Sequence, residues 1–186
     1  MSSSLRVLGA EDLASLREHL LRLDHASRRS RFAMPVDDAF LVAYASSLMR
    51  PLCFVLGWFD EGTLRAAGEL RLIEGRIAEA SFSVEPAWRG RGVGSQLFRR
   101  LTDEARELGV RRLYMSCLAE NVAMQGLARK FAADLVFNAP MVCDLHAEQH
   151  RDALVTTSEH SENEKEFATA IMRIGPRWLP LPKRRA

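Results

Sequence analysis

Ser81-Phe82-Ser83-Val84-Glu85-Pro86-Ala87-Trp88-Arg89-Gly90-Arg91-Gly92-Val93-Gly94-Ser95 is the stretch that decides the fold. A strand-like run ends at a proline, and a turn with three glycines opens directly into a helical stripe. The first N–H groups of a helix lack partners within it and carry the positive end of its dipole. They form a natural anion site. Glycines let backbone come close to a ligand and adopt positive φ, and Arg89 and Arg91 add charge. A pyrophosphate suits this arrangement. A P-loop needs Gly-Lys-Ser/Thr, but Gly94 is followed by Ser95-Gln96, which removes that reading. A dinucleotide fingerprint needs a third glycine or alanine where Ser95 stands, and it opens a βαβ repeat rather than following a meander. A ligand-free connection needs one or two glycines, not three flanked by arginines.

Working upstream, Cys53 to Phe59 reads as a buried strand, Asp60-Glu61-Gly62 as a hairpin turn, and Thr63 to Leu72 as the returning strand. Glu74-Gly75 marks another turn before a strand from Ile77 to Val84. Before the meander, Leu5 to Leu8 reads as a strand and Glu11 to Asp24 as an amphipathic helix with Leu13, Leu16, Leu20 and Leu23 on one face. The basic run Ser27 to Phe32 reads as a loop, and Val36 to Ser46 as a second helix.

Downstream, Gly92 to Leu108 is helical, with Val93, Leu97, Leu101, Ala105 and Leu108 in one stripe and Gly109 as its cap. Val110 to Cys117 reads as a strand, and Asn121 to Phe131 as a helix with Asn121 as N-cap. Leu135-Val136-Phe137 and Met141 to Leu145 read as two short strands. Together these predict one mixed α+β domain over residues 1–146. Residues 147–186 read as a polar linker, a short helix from Phe167 to Ile174, and a tail with Pro176, Pro180, Pro182 and the basic end Lys183-Arg184-Arg185.

The 186 residues carry 26 basic and 24 acidic side chains, a net of +2, so no nucleic-acid or membrane partner is expected. Cys53, Cys117 and Cys143 lie far apart in apolar runs, which predicts buried thiols rather than a disulfide framework or a metal site. No apolar run reaches the roughly 18 residues of a membrane span, and Met1-Ser2-Ser3-Ser4 has no signal-peptide pattern. A cytoplasmic location is expected.

The pattern Arg89-x-x-Gly92-x-Gly94, with the run Ala78 to Gly92 before it and Asn121 to Phe131 after it, resembles the acyl-CoA signature of the GNAT superfamily of N-acetyltransferases. Within that superfamily the sequence most resembles the bacterial protein-acetylating branch. The resemblance covers Leu5 to Leu145. It implies a mostly antiparallel sheet with helices on both faces and a splayed central strand pair. It further implies acetyl-CoA as donor, without a metal, and a primary amine, on a small molecule or a protein lysine, as acceptor.

Residue by residue, the resemblance assigns the pantetheine arm to the backbone of Phe82, Ser83 and Val84. It assigns the pyrophosphate to the turn of Arg89, Gly90, Arg91, Gly92, Val93, Gly94 and Ser95, and a pantetheine contact to Asn121. Glu79 matches the glutamate that serves as base in the bacterial protein-acetylating branch; a solvated glutamate on one strand face is the alternative. The tyrosine that serves as acid in much of the family is replaced by Ala128, and its usual Gly-Phe by Ala132-Ala133. Ser116 and Cys117 are the other groups near the expected splay. His25, Arg28, Arg29 and Arg31 are solvated charge or a complement to an acidic group on the acceptor. An acyl-CoA-binding module with little turnover is the alternative function. Phe167, Ile171, Ile174 and Trp178 could form a homodimer contact or cover the domain's own core.

Overall fold

The computed structural model describes residues 2–48, 52–73, 76–131, 134–138 and 167–173. Among these, strands β1 (Ser3–Val7), β2 (Cys53–Asp60), β3 (Thr63–Ile73), β4 (Ile77–Val84), β5 (Arg112–Leu118), β6 (Asp134–Asn138) and β7 (Phe167–Arg173) form one sheet. Its order is β1-β2-β3-β4-β5-β7-β6. The helices are α1 (Leu13–Arg22), α2 (His25–Phe32), α3 (Asp38–Ser47), α4 (Val93–Glu107) and α5 (Val122–Lys130). No helix among the described residues is long and apolar enough to cross a membrane.

Strands β1 to β4 are an antiparallel meander. Two apolar clusters lie on its two faces. One joins Leu97, Phe98 and Leu101 of α4 to Leu70, Ala80 and Phe82, and the other joins Leu16, Leu20 and Leu41 to Val55, Leu64 and Ala67. The period-2 alternation of the strands sends one residue set to each cluster. The expected stripe on α4 is buried from Val93 to Ala105, while Leu108 is exposed.

β4 and β5 run parallel but pair only at Ile77↔Arg112, Ala78↔Leu113 and Glu79↔Tyr114. Beyond those pairs the strands part, which is the expected splay. β5 is fully paired along its other edge, by β7 from Arg112↔Arg173 to Leu118↔Phe167. The open edges therefore face each other across the gap.

Two expectations are corrected. Ser27 to Phe32 is not loop but most of α2, which packs against β4 and β5. An apolar stripe is missing there, so local pattern gave no sign of it. Side-chain bonds hold it instead. The Asp24 carboxylate accepts from the Ser27 N–H at 2.7 Å, and Arg28 donates to the Leu21 carbonyl and to Asp38. Phe167 to Arg173 is not a helix but strand β7, which pairs with both β5 and β6. Seven residues with apolar positions fit either period, and two strand edges needing partners settle the choice. The sheet thus extends past residue 146. The expected strand Met141 to Leu145, with Cys143, Ile174 and Trp178, lies outside the described residues.

Removing the cap of α2 gives the first expected outcome. Asp24→Ala should lower stability by about 1 kcal/mol, read as a shift of the urea midpoint with unchanged slope. The carboxylate is held below its ordinary range by Ser27 hydrogen bonds. Its contribution is therefore present above the unfolded carboxylate pKa and is lost as pH falls through the folded one.

Candidate active site

The turn after β4 is built from backbone geometry that its residues allow. Pro86–Trp88 forms a short 3-10 turn. Gly90 and Gly92 follow with φ of 70° and 81°, a region that side-chain-bearing residues avoid. Gly92 is the N-cap of α4. A Cβ built on Gly90, Gly92 or Gly94 would meet nothing within 4 Å. Gly94 has no positive φ, so neither backbone conformation nor packing requires glycine there. Helix propensity disfavours it by roughly 0.5–1 kcal/mol relative to alanine. A bare backbone at a helix N-terminus is what a close-lying phosphate needs, so these residues fit the diphosphate of coenzyme A.

This turn, the freed edge of β4 and the start of α5 surround a cavity of about 510 Å³. Phe82, Ser83, Val84, Arg89, Gly90, Gly92, Val93, Gly94, Ser95 and Asn121 all line it. Asn121 also caps α5, its side chain accepting from the Met124 N–H at 3.1 Å. Ser116 lines the cavity as well. Two expected site residues stand apart. Arg91 is exposed and off the cavity wall. Glu79 occupies the last paired position of β4, opposite Tyr114, and does not line the cavity either. Ala128 is buried in the core and offers no proton. Burial pushes the Cys117 thiol up, so it stays protonated at neutral pH.

The charged side chains on the wall are Arg31, Arg89 and Lys130, a cationic lining suited to a polyanionic donor. Arg89 is also a strut. Its Nε donates to the Val84 carbonyl at 3.0 Å and its guanidinium to Ser27 Oγ at 2.6 Å, tying α2 to the end of β4. Arg31 pairs with Glu69, whose Oε2 also accepts from the Tyr44 hydroxyl at 2.6 Å. Burial with the carboxylate close by raises the Tyr44 phenol well above its ordinary value.

Sequence reasoning passed over one cluster behind the wall, which reaches the cavity at Ser83. His19 of α1 is fully buried, with one ring nitrogen against Ser83 of β4 and the other against Glu85 just beyond it. Nδ1 lies 3.1 Å from Glu85 Oε1 and Nε2 lies 2.9 Å from Ser83 Oγ. Arg22 and Arg65 also donate to Glu85. Burial pushes the Glu85 carboxyl up, but the His19 and Arg22 hydrogen bonds outweigh it and hold the pKa below the ordinary range. Burial pushes His19 down, against the pull of Glu85. The ring is therefore neutral at neutral pH. An ionised carboxylate only accepts, so Nδ1 carries the proton, Nε2 is the acceptor, and the Ser83 hydroxyl donates to it. The one sequence sign of this cluster was a histidine inside an otherwise apolar helix face. Gly126 and Leu127 of α5 also line the cavity and carried no sequence signal of their own.

Residues 17–133 match the family described as "Acetyltransferase (GNAT) family". The chain belongs to that family and is an acyltransferase that uses acetyl-CoA. Acetyltransferase PA5475 of Pseudomonas aeruginosa is 31% identical over 132 residues, covering 66% of this chain and 70% of that protein. The uncharacterized N-acetyltransferase YobR of Bacillus subtilis is 32% identical over 72 residues, 39% of this chain, and the match spans only 29% of that protein. Among solved structures, the GNAT domain of S. lividans PAT has a TM-score of 0.68 at 17% identity, covering 92% of this chain and 90% of that one. YncA from Salmonella typhimurium, solved with its cofactor acetyl-CoA, has a TM-score of 0.67 at 19% identity, covering 97% and 98%. These likenesses show the shared fold.

Proposed function

We propose that the enzyme transfers the acetyl group of acetyl-CoA to a primary amine, on a small molecule or a protein lysine, by direct attack of nitrogen on the thioester. The observation that carries this reading is the joining of the glycine cradle to the freed edge of β4 in one cavity. In it the cradle amides hold the diphosphate, and the backbone of Phe82, Ser83 and Val84 pairs with the pantetheine arm. The enzyme would work in the cytoplasm, without a metal. The net charge of +2 favours neither nucleic acid nor membrane as partner.

An alkylamine reaches the site as an ammonium, with a pKa of about 10.4, and must lose a proton before it can attack. Glu79, at the closed end of the splay, would take that proton through water. Glu79→Gln should then lower kcat about 100-fold at neutral pH, with recovery as pH rises toward the amine's own pKa. The check is thiol release from acetyl-CoA across an amine panel. Equal rates for the two proteins at pH 7 would remove Glu79 from this role.

One observation favours a second reading, an acyl-CoA-binding module with little turnover. Ala128, at the position of the family's tyrosine acid, is a buried methyl group. Tight acetyl-CoA binding by calorimetry, with no transfer to any amine in the panel, would select it. A thiolate is a good enough leaving group to depart without a dedicated acid, since an unperturbed thiol has a pKa of about 8.5. Turnover is therefore the expected result.

A further inference from the structure

Two protons leave the nitrogen during amide formation, one from the ammonium before attack and one from the nitrogen as the C–N bond forms. The second passes to water, to the departing thiolate or to a group on the cavity wall. Its charged side chains, Arg31, Arg89 and Lys130, are all cations. Six serines line the wall, Ser27, Ser30, Ser81, Ser83, Ser95 and Ser116. Ser95 accepts from the Lys130 ammonium, and Ser27, Ser81 and Ser83 each meet an ionisable side chain whose character separates them. Ser27 donates to the capping carboxylate of Asp24 and accepts from Arg89. Ser81 lies 3.3 Å from Glu69 Oε2, an oxygen already committed to Arg31 and Tyr44. Ser83 alone among these three leads to a neutral base, the unprotonated Nε2 of His19 at 2.9 Å. Behind the ring stands the Glu85 carboxylate at 3.1 Å. A hydroxyl, a base within hydrogen-bond reach and a third group orienting that base form the arrangement that activates serine elsewhere.

We infer that Ser83, His19 and Glu85 form a proton relay for acetyl transfer, with the Ser83 hydroxyl as the catalytic group that receives the second proton from the acceptor nitrogen. His19 and Glu85 act through it as positioning residues.

The step balances. The N–C bond forms at the acetyl carbonyl carbon and the C–S bond breaks, its electron pair leaving on sulfur. One N–H proton passes to Ser83 Oγ as the Oγ–H proton passes to His19 Nε2. The imidazolium is held at Nδ1 by Glu85. Its proton then returns through Ser83 to the thiolate or to water, restoring the neutral ring. A buried imidazole cannot touch substrate itself, and among the described residues Ser83 is the hydrogen-bond partner that links it to the cavity. A purely structural tie between α1 and β4 would not need its acceptor end to finish on a cavity-lining residue of the freed strand edge.

This inference rests on the amine-acetylation reading, and two readouts keep their failures apart. Where the wild-type enzyme acetylates an amine, kinetics decide. Ser83→Ala should lower kcat by about 100-fold or more, with acetyl-CoA affinity by calorimetry within about twofold of wild type. His19→Gln should lower kcat similarly, and the double variant should be no slower than the slower single one, as for groups acting as one unit. A Ser83→Ala enzyme with wild-type kcat, or losses that multiply in the double variant, would overturn the relay. Where no amine is acetylated, the amine reading fails, and labelling of the full chain by a fluorophosphonate decides this one. Modification of Ser83 that acetyl-CoA blocks and His19→Gln abolishes would uphold an activated serine. An unmodified Ser83 would overturn it, and this readout needs no variant at Ser83 to fold.

Discussion

Gly92→Glu should abolish measurable acetyl-CoA binding. The substitution sets a carboxylate at the N-cap of α4, inside the cradle that would hold the diphosphate. Two like charges about 4 Å apart at an effective dielectric near 20 repel by about 4 kcal/mol, close to three decades in Kd. The blocked approach of the backbone adds to that. Gly92 has a φ of 81°, so a side chain there also strains the fold by roughly 1–2 kcal/mol, and weak binding alone could reflect poor folding. Gly94→Glu separates the two effects. Gly94 has no positive φ and open space where its Cβ would stand. This variant should keep its thermal midpoint and still lose acetyl-CoA affinity by a hundredfold or more in calorimetry. Unchanged affinity in both variants would move the donor site away from this turn.

The second large effect concerns stability. Glu69→Ala should cost about 3–5 kcal/mol. The side chains of Arg31 and Glu69 are only 10% and 4% exposed, so deleting the carboxylate leaves a largely buried guanidinium without its ion-pair partner, though still bonded to the Tyr44 hydroxyl. One carboxylate oxygen of Glu69 has no partner among the described residues, and neither has Nε of Arg31. The pair is therefore imperfectly satisfied, and its desolvation is only partly offset. It follows that replacing both members, Glu69→Met with Arg31→Leu, should recover most of the loss. Urea unfolding of the three proteins checks this. A double variant no more stable than Glu69→Ala would mean that the pair is worth more than its burial suggests.

The same pair shows where sequence reading stops. Arg31 looked like solvated charge because its neighbours Arg28 and Arg29 are basic too. Its partner is 38 residues away on β3, and no local pattern links them. The Ser83–His19–Glu85 line has the same character. Each hydrogen bond spans 64 or 66 residues, so it exists only once α1 is laid against β4. The splay was expected from family resemblance, and the pairing of β4 with β5 at only three positions accounts for it in this chain.

By itself the sequence determined the meander, the helix α4 and the glycine turn. Strand alternation, a helical stripe and positive-φ glycines are local properties, fixed by residue type and spacing. With the family resemblance it also named ten of the residues that line the cavity, nine of them within one strand–turn–helix run and Asn121 at the start of α5. The tertiary structure alone decided the rest. It made α2 a helix through side-chain bonds rather than an apolar stripe, the Arg89–Ser27 bond among them spanning 62 residues, and it made Phe167–Arg173 a strand because two edges needed partners. It set Glu79 off the cavity wall and put a neutral histidine behind Ser83. Burial and long-range pairing govern those outcomes, and neither is written in any short stretch of sequence.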